Sequence, residues 1–135
     1  MDDIYIEDLI APNYDDLLDD VMNHGHSQYV LKGGRGSLKS SFVGFAIPLL
    51  MLEHSDVNAL VLRKTASTLR DSVFGQIQFA IDMLNLGDEF KPRISPMSIT
   101  RKSTGQQIIF RGLDDSQKIK SLKLKHGYFG ITWFE

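Results

Sequence analysis

Between a short apolar run, Gln28-Tyr29-Val30-Leu31, and a long apolar stretch, Ser40 to Glu53, stands the segment Gly33-Gly34-Arg35-Gly36-Ser37-Leu38-Lys39-Ser40. Three glycines in four positions let a backbone curl so that successive N–H groups point inward, a conformation a Cβ would obstruct. A helix opening directly behind such a loop adds the positive end of its dipole. Strand, glycine-rich loop, Lys-Ser pair and helix in this order form a Walker A pattern in its proper setting, which makes the segment a phosphate-binding candidate. The expected nucleotide-binding stretch comprises Gly33, Gly34, Arg35, Gly36, Ser37, Leu38, Lys39, Ser40 and Ser41. Lys39 is placed to reach the β- and γ-phosphates of a nucleoside triphosphate, and the Ser40 hydroxyl to bind magnesium. Leu38 stands where the pattern has glycine. Its side chain must point away from the phosphates, or the loop must curl differently around Gly36.

Further along, Ala59-Leu60-Val61-Leu62 is a continuous apolar run of strand length, typical of a parallel strand covered on both faces. Thr68 to Leu86 carries Leu69, Val73, Phe74, Ile77, Ala80, Ile81 and Leu84 at helical spacing, with Gly87 as the expected stop. Ser98–Lys102 and Gln106–Arg111 read as two strands joined by Ser103-Thr104-Gly105, a hairpin signal. Asp114 to Leu124 reads as a charged, loosely helical stretch, and Tyr128 to Phe134 as a final aromatic and β-branched strand. Pro48 lies inside the Ser40–Glu53 helix, where it removes one backbone donor and is expected to kink it. Strand, loop, helix, strand, helix and later strand predict an α/β fold with a parallel sheet flanked by helices. Glu135 follows the last strand directly. In open parallel sheets ligands sit outside the carboxyl ends of strands, so a carboxylate there is the candidate Walker B acid, holding magnesium together with Ser40.

Charge divides the chain unevenly. Residues 1–20 hold eight Asp/Glu and no Lys/Arg, a charge of −8, while the remainder sums to +6. Apolar residues Leu9, Ile10, Tyr14, Leu17, Leu18, Val21 and Met22 recur at helical spacing in that acidic leader, restarting at Pro12 and stopping at His24-Gly25. The basic remainder suits contact with phosphates. No apolar run reaches the roughly 20 residues that span a bilayer, and the acidic start is the reverse of a secretory n-region. There is no cysteine, which excludes disulfides, thiolate metal sites and a cysteine nucleophile. His24, His26, His54 and His126 show no metal-ligand spacing. Lys118, Lys120, Lys123 and Lys125, four cations in eight residues, read either as a phosphate-facing cluster or as a solvated loop. Trp133 and Phe134 are expected to pack in the sheet.

The segments Gly33–Ser40, Val61-Leu-Arg-Lys-Thr65 with Leu69-Arg-Asp-Ser-Val-Phe74, Phe110-Arg-Gly-Leu-Asp-Asp115 with Lys118-Ile-Lys-Ser121, and Trp133-Phe-Glu135 together resemble the N-terminal ATPase region of the large terminase subunit of tailed double-stranded DNA bacteriophages and prophages. The likeness runs from about Gln28 to the end of the chain, and the order of segments is kept. It implies a P-loop NTPase fold of the ASCE type, present as an incomplete N-terminal part. Residues 1–27 would be a leader and 28–135 a partial ATPase domain, with the nuclease domain and the second, catalytic glutamate of the family absent. The implied activity is ATP hydrolysis with Mg2+, driving double-stranded DNA into procapsids in the host cytoplasm. The implied partners are the portal protein, the small terminase subunit and further copies in a homo-oligomeric ring, with no membrane. Arg35 matches the arginine this family places inside its Walker A loop, Lys39 and Ser40 the phosphate and magnesium positions, and Glu135 the metal-associated acid. Arg63, Arg70 and Arg111 are candidates for an arginine finger. A second reading is a non-catalytic nucleotide- or nucleic-acid-binding module with a degenerate loop; a small-molecule kinase fits the aromatic last strand less well. A P-loop strand at Gln28–Leu31 with no later strand beside it would leave an open edge, so self-association is expected.

Overall fold

In a computed structural model, residues 15–24 and 39–135 are described. Helix α1 (Asp15–Met22) is followed by α2 (Lys39–Glu53), β1 (Val57–Arg63), a helical connection ending in α3 (Gly75–Met83), β2 (Phe90–Arg93), β3 (Ser98–Arg101), β4 (Gln107–Gly112), α4 (Ser116–Lys120) and β5 (Tyr128–Phe134). The expected strand Gln28–Leu31 and the loop Gly33–Leu38 lie outside the described residues, as does the start of the acidic leader.

The sheet order is β2-β3-β4-β1-β5. β1 pairs in parallel with both neighbours, Val61 opposite Phe110 on β4 and opposite Trp133 on β5. β2 and β3 are antiparallel additions, so the sheet is mixed rather than parallel throughout. The β3–β4 hairpin agrees with expectation, and Gly105 in its turn has φ 79°, a conformation that favours glycine. β2 is a strand the sequence pattern does not announce. Its residues Phe-Lys-Pro-Arg are polar but for Phe90, and Pro92 is tolerated because β2 is an edge.

Residues 59, 61, 108, 110, 131 and 133 share one sheet face by register, and α2 and α3 cover it. Ile47 and Met51 of α2 and Ile77 and Ile81 of α3 meet Ala59, Val61, Ile108, Phe110 and Trp133 in one core. The outer side of α2 packs Phe42, Phe45 and Ala46 with Ala80 of α3, and Leu17, Leu18 and Val21 of α1 close over them. A helix sandwiched this way is apolar nearly all round, as its sequence required. The helix is continuous across Pro48.

The expected single helix from Thr68 to Leu86 is built differently. A 3-10 turn (Ala66–Thr68) and a π-turn (Arg70–Phe74) precede α3, with the Phe74 N–H bonding the Leu69 carbonyl at 3.1 Å. The wider turn lets Leu69, Val73 and Phe74 all reach the core. The stop comes at Asn85, which takes the left-handed conformation (φ 57°) expected of Gly87.

Two buried amides fix the sheet against its helices. Asn58, fully buried, donates to the carbonyls of His126 (2.8 Å) and Tyr128 (3.2 Å) and accepts from the Gln107 N–H (2.7 Å), tying β1 to both neighbours where the β1–β5 ladder shifts register. Gln106, also fully buried, donates through Nε2 to the carbonyls of Met51 (3.0 Å), His54 (2.7 Å) and Val57 (2.7 Å). Its Oε1 accepts from Arg101 (2.9 Å) and Thr104 (2.8 Å). Arg101 reaches the Met51 carbonyl as well (3.2 Å), so the hairpin caps the carboxyl end of α2. Glu89 holds Arg101 from the other side at 3.1 Å, and hydrogen bonds from Ser103 together with this cation keep its carboxyl below the usual glutamate range.

Replacing Gln106 by leucine would take its donor from the buried Val57 carbonyl and its acceptor from Arg101 and Thr104. Unmet groups of this kind cost about 1–3 kcal/mol each, so Gln106→Leu is expected to lose roughly 2–4 kcal/mol and to lower Tm by on the order of 10 °C in calorimetry. A variant melting with the parent would show that these bonds carry no stability.

Candidate functional site

Because β1, β4 and β5 run in parallel, their carboxyl ends lie along one edge of the sheet. α2 crosses the sheet between its two edges. Its carboxyl end is held by Gln106 at the amino edge, and fifteen helical residues span about 22 Å, matching the length of the seven-residue β1. The amino end of α2 therefore arrives where β5 finishes.

There the Ser40 hydroxyl donates to Oε1 of Glu135 at 2.8 Å, joining residues 95 apart in sequence. Glu135 is set by its backbone, whose N–H bonds the Leu62 carbonyl at 3.0 Å and so continues the β1–β5 ladder by one residue. Ser40 sits in the first turn of α2, where free backbone N–H groups make the surroundings favourable to anions. Lys39 opens the same helix, and Ser41 follows half-buried. The chain thus brings together two of the residues the sequence singles out for magnesium, and places Lys39 one position away.

A hydroxyl and a carboxylate are hard oxygen donors of the kind Mg2+ takes. Two such oxygens on adjacent corners of an octahedron with bonds of about 2.05 Å are about 2.9 Å apart. The observed 2.8 Å separation is close to that spacing for direct binding by both oxygens. Among the described residues no group of three or more His, Asp or Glu converges.

The other candidates fall elsewhere. Arg63, at the carboxyl end of β1, donates to the Thr68 carbonyl at 3.3 Å, and Arg70 is exposed on the π-turn. Arg111 donates to the carbonyls of Met97 (3.1 Å) and Phe110 (2.7 Å). Burial lowers its pKa from the ordinary arginine value, against an opposing pull from Asp115. Arg63 and Arg111 are therefore engaged with their own backbone. Lys118, Lys120, Lys123 and Lys125 are all exposed on the connection into β5, with Lys118 paired to Asp115 at 3.2 Å. Trp133 is buried in the sheet as expected, whereas Phe134 is exposed.

Comparison with known proteins follows the same lines. The family model for the phage terminase large subunit matches residues 25–135. This chain belongs to the phage terminase large subunit family. It is 39% identical, over its whole length, to the terminase large subunit of Bacillus phage SPP1, and 34% identical, over 93% of its length, to the PBSX phage terminase large subunit of Bacillus subtilis strain 168. It spans 32% and 27% of those two relatives, about a third or less of a terminase large subunit. Among the described residues no helix is long and apolar enough to cross a membrane.

Both partners of the Ser40–Glu135 bond have access to solvent, so the unliganded contact is worth about 1 kcal/mol or less. Ser40→Ala is expected to leave Tm within about 5 °C of the parent in the absence of ligand. A much larger fall would make the contact a structural clamp instead of a site held ready.

Proposed function

We propose that this chain is the nucleotide-binding part of a terminase motor, taking ATP with Mg2+ on the segment Gly33–Ser41 and Glu135. The observation that carries the reading is the meeting of Ser40 and Glu135 at the carboxyl edge of the sheet. Supporting it are the glycine-rich run ahead of α2, the family membership and the hard-donor chemistry of the pair.

In this reading the backbone of Gly33, Gly34 and Gly36 cradles the phosphates and Lys39 neutralises charge on the β- and γ-groups. Arg35 would face the γ-phosphate. Ser40 and Glu135 would hold the magnesium, which would draw charge from the phosphate oxygens. Hydrolysis would be an in-line attack of water on the γ-phosphorus, breaking its bond to the β–γ bridging oxygen so that ADP leaves with phosphate as the other product, and the acid the family carries after Glu135 would orient the water and take its proton. Leu38 would require its side chain to turn away from the phosphates, or the loop to curl differently around Gly36. The work done is translocation of double-stranded DNA into a procapsid, by a ring of copies docked on a portal protein and supplied with DNA by a small terminase subunit. An arginine from a neighbouring copy completes the charge balance of the transition state. Arg70 is the exposed candidate for that role.

Titration of Mg2+–ATP into the chain by calorimetry tests the binding claim. The parent is expected to bind at one site, and Lys39→Ala to bind at least tenfold more weakly while remaining folded by circular dichroism. A folded parent that binds no nucleotide, or a Lys39→Ala variant that binds as the parent does, would contradict it.

A further inference from the structure

At the far end of α2 from Ser40, two histidines from separate helical ends come together. His24 follows α1 in the left-handed conformation (φ 53°), and His54 follows α2. Their Nε2 atoms are 2.9 Å apart, and their ring centroids 4.6 Å apart at an interplanar angle of 47°. His24 is exposed and His54 half-buried, so the pair is open to solvent.

A hydrogen bond would require one ring to donate and the other to accept. The 2.9 Å separation allows such a bond in either tautomer. With both rings in line, a 2.9 Å bond would set the centroids about 5.2 Å apart. The shorter centroid distance means that at least one ring is turned off that line. Two metal–nitrogen bonds of about 2.05 Å meeting at a right angle put the nitrogens about 2.9 Å apart and the ring centres about 4.5 Å apart. Both observed distances agree with that arrangement.

We propose that His24 and His54 form a two-imidazole site for a divalent first-row transition metal, with water completing the coordination, and that the metal staples α1 to the carboxyl end of α2. A right angle between nitrogens suits the tetragonal or octahedral preference of Ni2+ or Cu2+, whereas tetrahedral Zn2+ wants about 3.3 Å between nitrogens. The site is separate from the Ser40–Glu135 pair, whose oxygens select Mg2+. Among the described residues, the eight-residue α1 packs Leu17, Leu18 and Val21 against α2 and α3 at the joint the metal would brace. Metal binding to the folded state alone raises stability by mass action.

The test is calorimetric titration of NiCl2, without nucleotide, into the whole 135-residue chain, together with its Tm at each metal concentration. The expected result is one saturable site, with Tm rising as it fills. His24→Ala and His54→Ala should each weaken binding at least tenfold and abolish the rise in Tm. His126→Ala serves as the control, since His126 Nε2 lies instead 3.1 Å from the Ser55 carbonyl oxygen, and it should titrate as the parent does. Absence of saturable binding, or retention of parental affinity in either His24→Ala or His54→Ala, overturns the proposal.

Discussion

Everything about the site depends on β1 pairing in parallel with both β4 and β5. Parallel pairing forces the intervening chain to cross the sheet and return, and it gathers the carboxyl ends of three strands on one edge. The pairing is secured from inside. Asn58 bonds to both neighbouring strands from a position with no solvent exposure, and Ala59 and Val61 on β1 are fully buried beneath the helices. Once that register is set, Glu135 can only emerge one step beyond Phe134, bonded to Leu62. The position of the acid is thus a consequence of strand pairing.

The second half of the geometry is the anchoring of α2. Gln106 and Arg101 hold its carboxyl end through the carbonyls that a helix leaves unmet, while its apolar surface is gripped by sheet on one side and by α1 and α3 on the other. With its far end fixed and its length equal to that of the strands, its first turn is delivered to the carboxyl edge. The same rigid element therefore places Ser40 and, at its other end, brings His54 to His24.

Much of this was legible in the sequence because it rests on local rules. β1 and β5 are apolar, β-branched or aromatic over strand length, the α2 stretch is too long and apolar to be a strand, and Ser103-Thr104-Gly105 can only turn. What was hidden depends on partners distant in the chain. β2 exists because β3 offers it an edge, despite Pro92 and two cations in four residues. Gln106 and Asn58 look like solvated polar residues until the fold surrounds them with carbonyls. The break of the expected long helix into 3-10, π and α turns answers the need of Leu69, Val73 and Phe74 to face one core, which 3.6-residue periodicity cannot express. The meeting of His24 with His54 has no sequence spacing at all to announce it.

The central claim is that Ser40 and Glu135 flank a magnesium nucleotide at the carboxyl edge. Paramagnetic broadening by Mn2+–ATP, read on the backbone amide resonances of the isotopically labelled chain, tests it most directly. The account predicts that the amides of Ser40, Ser41 and Glu135 are broadened at the lowest Mn2+ fraction, with β2 and the β3–β4 turn untouched. Broadening centred on the lysines between Lys118 and Lys125, with Ser40 and Glu135 left sharp, would contradict it.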